Sequence, residues 1–232
     1  MKKSFIIAAF CTICINVAAQ ITDSTEQEVV ANENSDSLSL IQSALDACLS
    51  FSDALASGDI NSIRQAGEAM GACDLKDFGT LRCKDDSVMT ELTGHAVFNQ
   101  AFADSLVAGR DAYQMADNIN RSGIHRGQMK PGQILTKTCG VKARGITTYS
   151  FPSTGRQELA VVAEHGGRIT TRIHVVNKAT TLNRWYNDTT DVVKGRNSRK
   201  AAFELPANPT TTVTLEIKNC TNKNISFVII SN

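Results

Sequence analysis

The chain has 232 residues, 42% of them hydrophobic and 20% charged, with a formal net charge of +1. That length allows one large or two small domains around a sizeable hydrophobic core. Near-neutrality leaves no large basic field, which argues against nucleic acid as a partner, and no stretch approaches the roughly 20 apolar residues of a membrane span, so the chain is not expected to be membrane-embedded.

Met1-Lys-Lys, the apolar run Phe5 to Ile15 and the small residues before Gln20 read as a secretory signal peptide over residues 1–19, cut after Ala19. The product is expected to be exported to the periplasm or beyond the cell. Cys11 follows Phe10 and Cys14 follows Ile13, not the small residue a lipoprotein signal needs. Residues 20–35 hold Asp23, Glu26, Glu28 and Glu33 with no lysine or arginine, a disordered acidic lead.

Residues 36–126 read as a mainly helical region. From Asp36 to Ala56, Leu38, Ile41, Leu45, Cys48 and Leu55 recur at helical spacing, with Ala44 and Phe51 widening the apolar face. Gly58-Asp59 ends that helix and caps a second one through Ile60, Ile63, Gly67 and Met70, giving an αα-hairpin over residues 36–71. Asp74 to Thr93 is polar and mixed, predicting loop with short helical pieces. Gly94 to Asp104 reads as a strand or as the start of a helix, and Arg110 to Asn120 as a helix. Arg121 to Gly132 carries three glycines and Pro131 among basic residues, and residues 127–133 are the predicted linker.

From Ile134 the period changes to two. The predicted strands are Ile134 to Cys139, Val141 to Phe151, Gln157 to Glu164, Arg168 to Val176, Asn183 to Tyr186, Lys200 to Leu205, Thr211 to Asn219 and Asn224 to Ile230, separated by turn-formers such as His165-Gly-Gly167 and Cys220-Thr-Asn-Lys-Asn224. Strands at this spacing predict an antiparallel β-sandwich, jelly-roll-like, over residues 134–232, and α+β as the fold class of the whole. The ending Ile225-Ser-Phe-Val-Ile-Ile-Ser-Asn232 is apolar enough to be a buried closing strand.

Charge divides along the same line. Residues 20–132 carry 17 acidic and 8 basic side chains, net −9; residues 133–232 carry 14 basic and 6 acidic, net +8. The split fits a basic face for a polyanion such as an acidic glycan, or two halves that dock on each other. Five cysteines remain after signal removal, an odd number in a chain expected to meet an oxidising compartment. The hairpin sets Cys48 about a turn from Cys73, so Cys48–Cys73 is one candidate disulfide and Cys73–Cys83 its competitor. Cys139 on the entry strand and Cys220 before the last one are the other candidate pair.

Ile146-Thr-Thr-Tyr-Ser-Phe, Leu159-Ala-Val-Val-Ala, Gly167-Arg-Ile-Thr-Thr-Arg-Ile-His-Val, Tyr186-Asn-Asp, Ala202-Phe-Glu-Leu-Pro and Thr214-Leu-Glu-Ile-Lys-Asn together resemble, by strand order, the bacterial pre-peptidase C-terminal (PPC-like) family. The resemblance spans roughly Arg144 to Asn232 and implies a secreted β-sandwich accessory module, akin in shape to carbohydrate-binding modules. The family's Asp-rich segment is echoed by Asn187-Asp188-Thr-Thr-Asp191. Taken whole, the chain also resembles exported proteins of Gram-negative gut bacteria, which implies no particular activity.

Asn187, Asp188 and Asp191 offer oxygens to a calcium ion, which takes six to eight ligands, but such clusters are also ordinary turn chemistry. Lys194, Arg196, Arg199 and Lys200 place four cations in seven residues, a candidate anion-binding loop. Trp185-Tyr186 supplies aromatic faces for a sugar ring, although neighbours on a strand point to opposite faces. None of the histidines, His95, His125, His165 and His174, has zinc-type spacing to another ligand, and no serine sits in Gly-x-Ser-x-Gly. Cys83, flanked by Arg82 and Lys84, is a candidate nucleophile only if unpaired. Asp23-Ser, Asp36-Ser, Asp86-Ser, Asp104-Ser and Asp188-Thr fit a short O-glycosylation pattern. No cofactor is predicted. The expected function is an exported, non-enzymatic binding or accessory protein for a glycan, surface polymer or protein partner. The alternative is a hydrolase or peptidase in which His95, Asp104 and a serine or Cys83 converge. A third expectation is purely structural, with the helices covering one face of the sandwich.

Overall fold

The structure is a computed structural model that describes residues 33–79, 81–83, 87–89, 91–116, 119, 133–153, 157–177, 182–187, 200–205 and 211–232. Two helices open it, α1 (Glu33–Ser57) and α2 (Ile60–Ala72). Between them Asp59 caps α2: its carboxylate accepts from the backbone N–H groups of Asn61 and Ser62 at 3.1 and 3.2 Å. The Ser62 hydroxyl, which also donates to the carboxylate, and those two backbone bonds favour the charged form and hold the Asp59 pKa down. A third helix, α3 (Gln100–Val107), begins at Asn99, whose side chain accepts from Phe102 N at 2.8 Å. Gly67 lets α3 approach α2, since a Cβ there would lie 2.6 Å from the Cβ of Ala103.

Asp74 to Thr93 departs from expectation. Among the described residues there are three two-residue strands, β1 (Lys76–Asp77), β2 (Arg82–Cys83) and β3 (Val88–Met89), and no helix. Each pairs with a sandwich edge, which satisfies backbone groups that a polar loop would leave to water.

The strands that follow are β4 (Leu135–Val141), β5 (Ile146–Ser153), β6 (Gln157–Ala163), β7 (Ile169–Asn177), β8 (Leu182–Asn187), β9 (Lys200–Leu205), β10 (Thr211–Asn219) and β11 (Ile225–Ser231). They form two sheets. Sheet I has the order β1-β4-β11-β6-β9, with β3 also on β4; sheet II has the order β2-β5-β10-β7-β8. The orders 4-11-6-9 and 5-10-7-8 are those of an eight-stranded jelly roll. All pairings are antiparallel except β1 with β4. The chain is therefore α+β, a helical N-terminal part and an antiparallel sandwich. The first break falls later than the sequence suggests: Gly140 continues β4, because Met89 and Leu92 come within 2.9 Å of where its Cβ would stand, and the turn is at Lys142 to Gly145.

Two cores result. Between the sheets, Tyr149, Ile173 and Leu215 of sheet II meet Leu159, Val161, Phe227 and Ile229 of sheet I. On the far side of sheet I, Ala160, Val162, Val228 and Ile230 pack into the helical core of Ile41, Leu45, Phe51, Ile63, Met70 and Phe102. Every residue of β6 and β11 is consequently buried, and neither strand alternates. The outer face of sheet II is wet, as β10 shows by alternating buried and less buried residues.

Candidate functional site

Three connections come together at one end of the sandwich: Lys142 to Gly145 between β4 and β5, Glu164 to Arg168 between β6 and β7, and Cys220 to Asn224 between β10 and β11. Asn219, the last residue of β10 and fully buried, ties two of them. Its amide nitrogen donates to Lys142 O at 3.1 Å and Lys223 O at 2.7 Å, while its oxygen accepts from Thr221 N at 2.8 Å and Thr221 Oγ1 at 2.7 Å. Cys220 N donates to Arg168 O at 2.8 Å and brings in the third.

Arg144 sits at φ 56°, an uncommon conformation for a residue with a side chain. Its surroundings hold it there. Its N–H donates to Thr221 O at 3.0 Å, Nε to Asn222 Oδ1 at 2.6 Å and Nη1 to Cys220 O at 2.9 Å; next to it, Ala143 N donates to Asn224 Oδ1 at 3.0 Å. The loops enclose a cleft of about 560 Å³, lined by Arg144, Arg168 and Lys223 and by Glu164, His165 and Asn222, among others. All three cations are exposed at its rim.

Glu164 is the counter-charge, and its oxygens are occupied. His95 Nδ1–H donates to Oε1 at 3.0 Å, Ala96 N to Oε2 at 3.3 Å and Ser226 Oγ to Oε2 at 2.8 Å. The bond to Glu164 raises the His95 pKa, with partial burial opposing. This cluster fastens residues 95–96 to the ends of β6 and β11. It is not a nucleophile relay, because Ser226 and His95 both donate to the carboxylate. His165 Nδ1 lies 3.7 Å from Asp53 Oδ1, so α1 also reaches the cleft rim.

The predicted residues distribute unevenly around this site. Lys200 opens β9, exposed, and pairs with Val162 near the cleft end of β6. Asn187 closes β8 opposite Arg172. Residues 188–199, and with them Asp188, Asp191, Lys194, Arg196 and Arg199, lie outside the described residues. Register sets Trp185 opposite His174 and Tyr186 opposite Ile173, so the two fall on opposite faces of β8. His95 meets Glu164 rather than Asp104, which is exposed on α3, and Cys83 is on a β2 edge of sheet II, so the predicted catalytic grouping is not assembled. Ser105 donates to Ala101 O at 2.9 Å within α3. Of the other residues in that short pattern, Asp23, Asp86 and Asp188 lie outside the described residues, and Asp36 lies in α1.

All five cysteines among the described residues stand as thiols. Cys48 is buried among the α1 core residues, and Cys73 packs against the same cluster. Burial raises both pKa values, and the Cys73 charge pushes Cys48 further. The Cys139–Cys220 pairing is not brought together. Cys139 faces the inter-sheet core, whereas Cys220, following inward-facing Asn219, turns outward to Thr170 Oγ1 at 3.4 Å. Sequence reasoning took two of the cleft loops only as turns and placed the third, Lys142 to Gly145, inside the predicted strand Val141 to Phe151. Arg144, Arg168 and Lys223 are scattered along the chain, and the one available signal was the excess of basic residues after position 133.

The surface between α1 and α2 holds another concavity, about 620 Å³, lined mainly by serine and alanine with Asp46 and Asp53. It gathers no cations. Among the described residues no group of three or more metal-ligating side chains forms, and no helix is long and apolar enough to cross a membrane.

Compared with known proteins, the chain matches no protein-family profile and no curated protein. Solved structures similar to part of it include a Yersinia pseudotuberculosis-derived mitogen, at 14% identity over 43% of this chain and 85% of that one, TM-score 0.30. Another is a carbohydrate-binding module, TmCBM61, in complex with β-1,4-galactotriose, at 9% identity over 67% and 90%, TM-score 0.32. A third is Salmonella Typhimurium PliG, a periplasmic inhibitor of g-type lysozyme, at 13% identity over 46% and 93%, TM-score 0.28.

Proposed function

We propose that the chain is an exported, non-enzymatic binding protein whose jelly roll takes an acidic glycan at the loop end of the sandwich. One observation carries the reading: Arg144, Arg168 and Lys223, from three separate loops, line one cleft whose backbone is already fixed by Asn219 and Arg144. Fixed loops lose little freedom on binding, which favours affinity. The lining of the described cleft has no phenylalanine, tyrosine or tryptophan, so recognition runs through charge and hydrogen bonds rather than ring stacking. Carboxylate or sulfate groups on a sugar match those donors. Glu164 lowers the field without reversing it, since three cations face one carboxylate, and its oxygens are already taken by His95, Ala96 and Ser226.

An array of acidic and neutral glycans tests this with the full exported chain. Acidic members are expected to bind and their neutral counterparts not to. Arg168→Ala with Lys223→Ala should weaken binding at least about tenfold, corresponding to about 1.4 kcal/mol, and flatten its salt dependence. Equal binding of neutral glycans, or an unaltered double variant, would overturn the reading. Arg196→Ala, Arg199→Ala and Lys200→Ala together test the basic run Lys194 to Lys200 apart from the cleft.

A further inference from the structure

We propose that Cys83 and Cys139 are a redox pair that closes into a disulfide between the two sheets. Tyr149 of β5 and Phe227 of β11 meet edge to face across the inter-sheet core, with ring centroids 6.1 Å apart. Cys83 is the residue paired with Tyr149 on β2, and Cys139 is the residue paired with Phe227 on β4. Paired residues on neighbouring strands share a face, so each cysteine stands beside one of the two facing rings. They also stand at the same edge. β2 borders sheet II beyond β5 and β1 borders sheet I beyond β4, and the short stretch from β1 to β2 steps across that edge with Phe78 and Leu81 in the core.

The side chains agree with the register. Cys83 is at the exposed edge, yet its sulfur lies 3.5 Å from Oγ1 of Thr147, a fully buried, inward-facing residue of β5. Cys139 is 7% exposed. The Tyr149 hydroxyl is buried beside Cys139 and Thr147 without a well-formed hydrogen bond, which leaves a donor close to where a Cys139 sulfur anion would form. Burial pushes the Cys139 thiol up to about 12, with the Tyr149 hydroxyl and Lys137 opposing and the charge of Cys83 adding to the rise.

This asymmetry orders the chemistry. The accessible Cys83 thiolate attacks a disulfide RSSR, from a small molecule or a protein, forming a Cys83–SR mixed disulfide and expelling RS−. Cys139 then loses its proton, and its thiolate attacks the Cys83 sulfur, forming the Cys83–Cys139 bond and expelling the second RS−. Two thiols are oxidised, one RSSR is reduced, and the two protons end on two RSH. The second step is the slower one and quickens as pH rises.

The test is incubation of the folded full chain with glutathione disulfide at several pH values, followed by alkylation and non-reducing peptide mapping. The expected result is a Cys83–Cys139 linked peptide and a mass lower by two hydrogens for that bond. Cys139→Ser should accumulate glutathione on Cys83, and Cys83→Ser should leave Cys139 unmodified. Wild-type chain that keeps glutathione on Cys83, links Cys83 to Cys73, or forms no Cys83 bond overturns the proposal.

Discussion

Glu164 is held by three donors, and His95 supplies the one whose charge depends on pH. Because the folded-state pKa of His95 is raised, its contribution to stability is full below the unfolded value of about 6.5 and is lost as pH rises through the folded value. Urea unfolding should therefore find His95→Gln less stable than wild type by about 1 kcal/mol near pH 5.5, with a smaller gap near pH 8.5. A gap that widened with pH would show that the imidazole acts in some other way. Asn219 makes the complementary case, because its amide serves main-chain groups in two loops whatever the pH. Asn219→Ala is expected to cost about 2 kcal/mol by removing the side-chain hydrogen bonds that tie two loops together, and calorimetry should show the lower Tm at every pH. Neither role is legible in the sequence, since His95 and Glu164 are 69 residues apart and nothing local couples them.

At the level of elements, the sandwich strands were readable where one face is wet and unreadable where none is. β7 and β10 alternate, so a period of two finds them. β6 and β11 are buried throughout; only their apolar, β-branched composition marks them as strands. The three two-residue strands have no period at all, which is why Asp74 to Thr93 looked like loop. The hairpin was legible from spacing and the Gly58-Asp59 cap, whereas the packing of α3 on α2 rests on a glycine that sequence alone leaves unexplained. Gly67→Ala should cost about 1–3 kcal/mol through overpacking. Adding Ala103→Gly should restore part of that by removing the atom it meets at 2.6 Å, a coupling that a double-mutant cycle would measure. Additive losses would rule out that contact as the cause.

For the whole molecule, the opposed charges of the two halves matter less than the apolar face between them. Ala160, Val162, Val228 and Ile230 give sheet I a second hydrophobic surface, covered by α1 and its neighbours. Residues 134–232 expressed alone should self-associate, while a version with Val162→Thr, Val228→Thr and Ile230→Thr should be more monomeric by light scattering. A monodisperse unmodified fragment would mean that the helices are dispensable cover. β11 adds a temporal dimension. It is the last strand in chain order, yet it lies between β4 and β6 and presents side chains to both cores, with Val141 waiting for Ile225. As the chain emerges from the ribosome, helices and ten strands precede the one that joins them. Such long-range closure implies folding on the slow side, milliseconds to seconds, and a sheet I whose two halves stay uncommitted until β11 is available to join them.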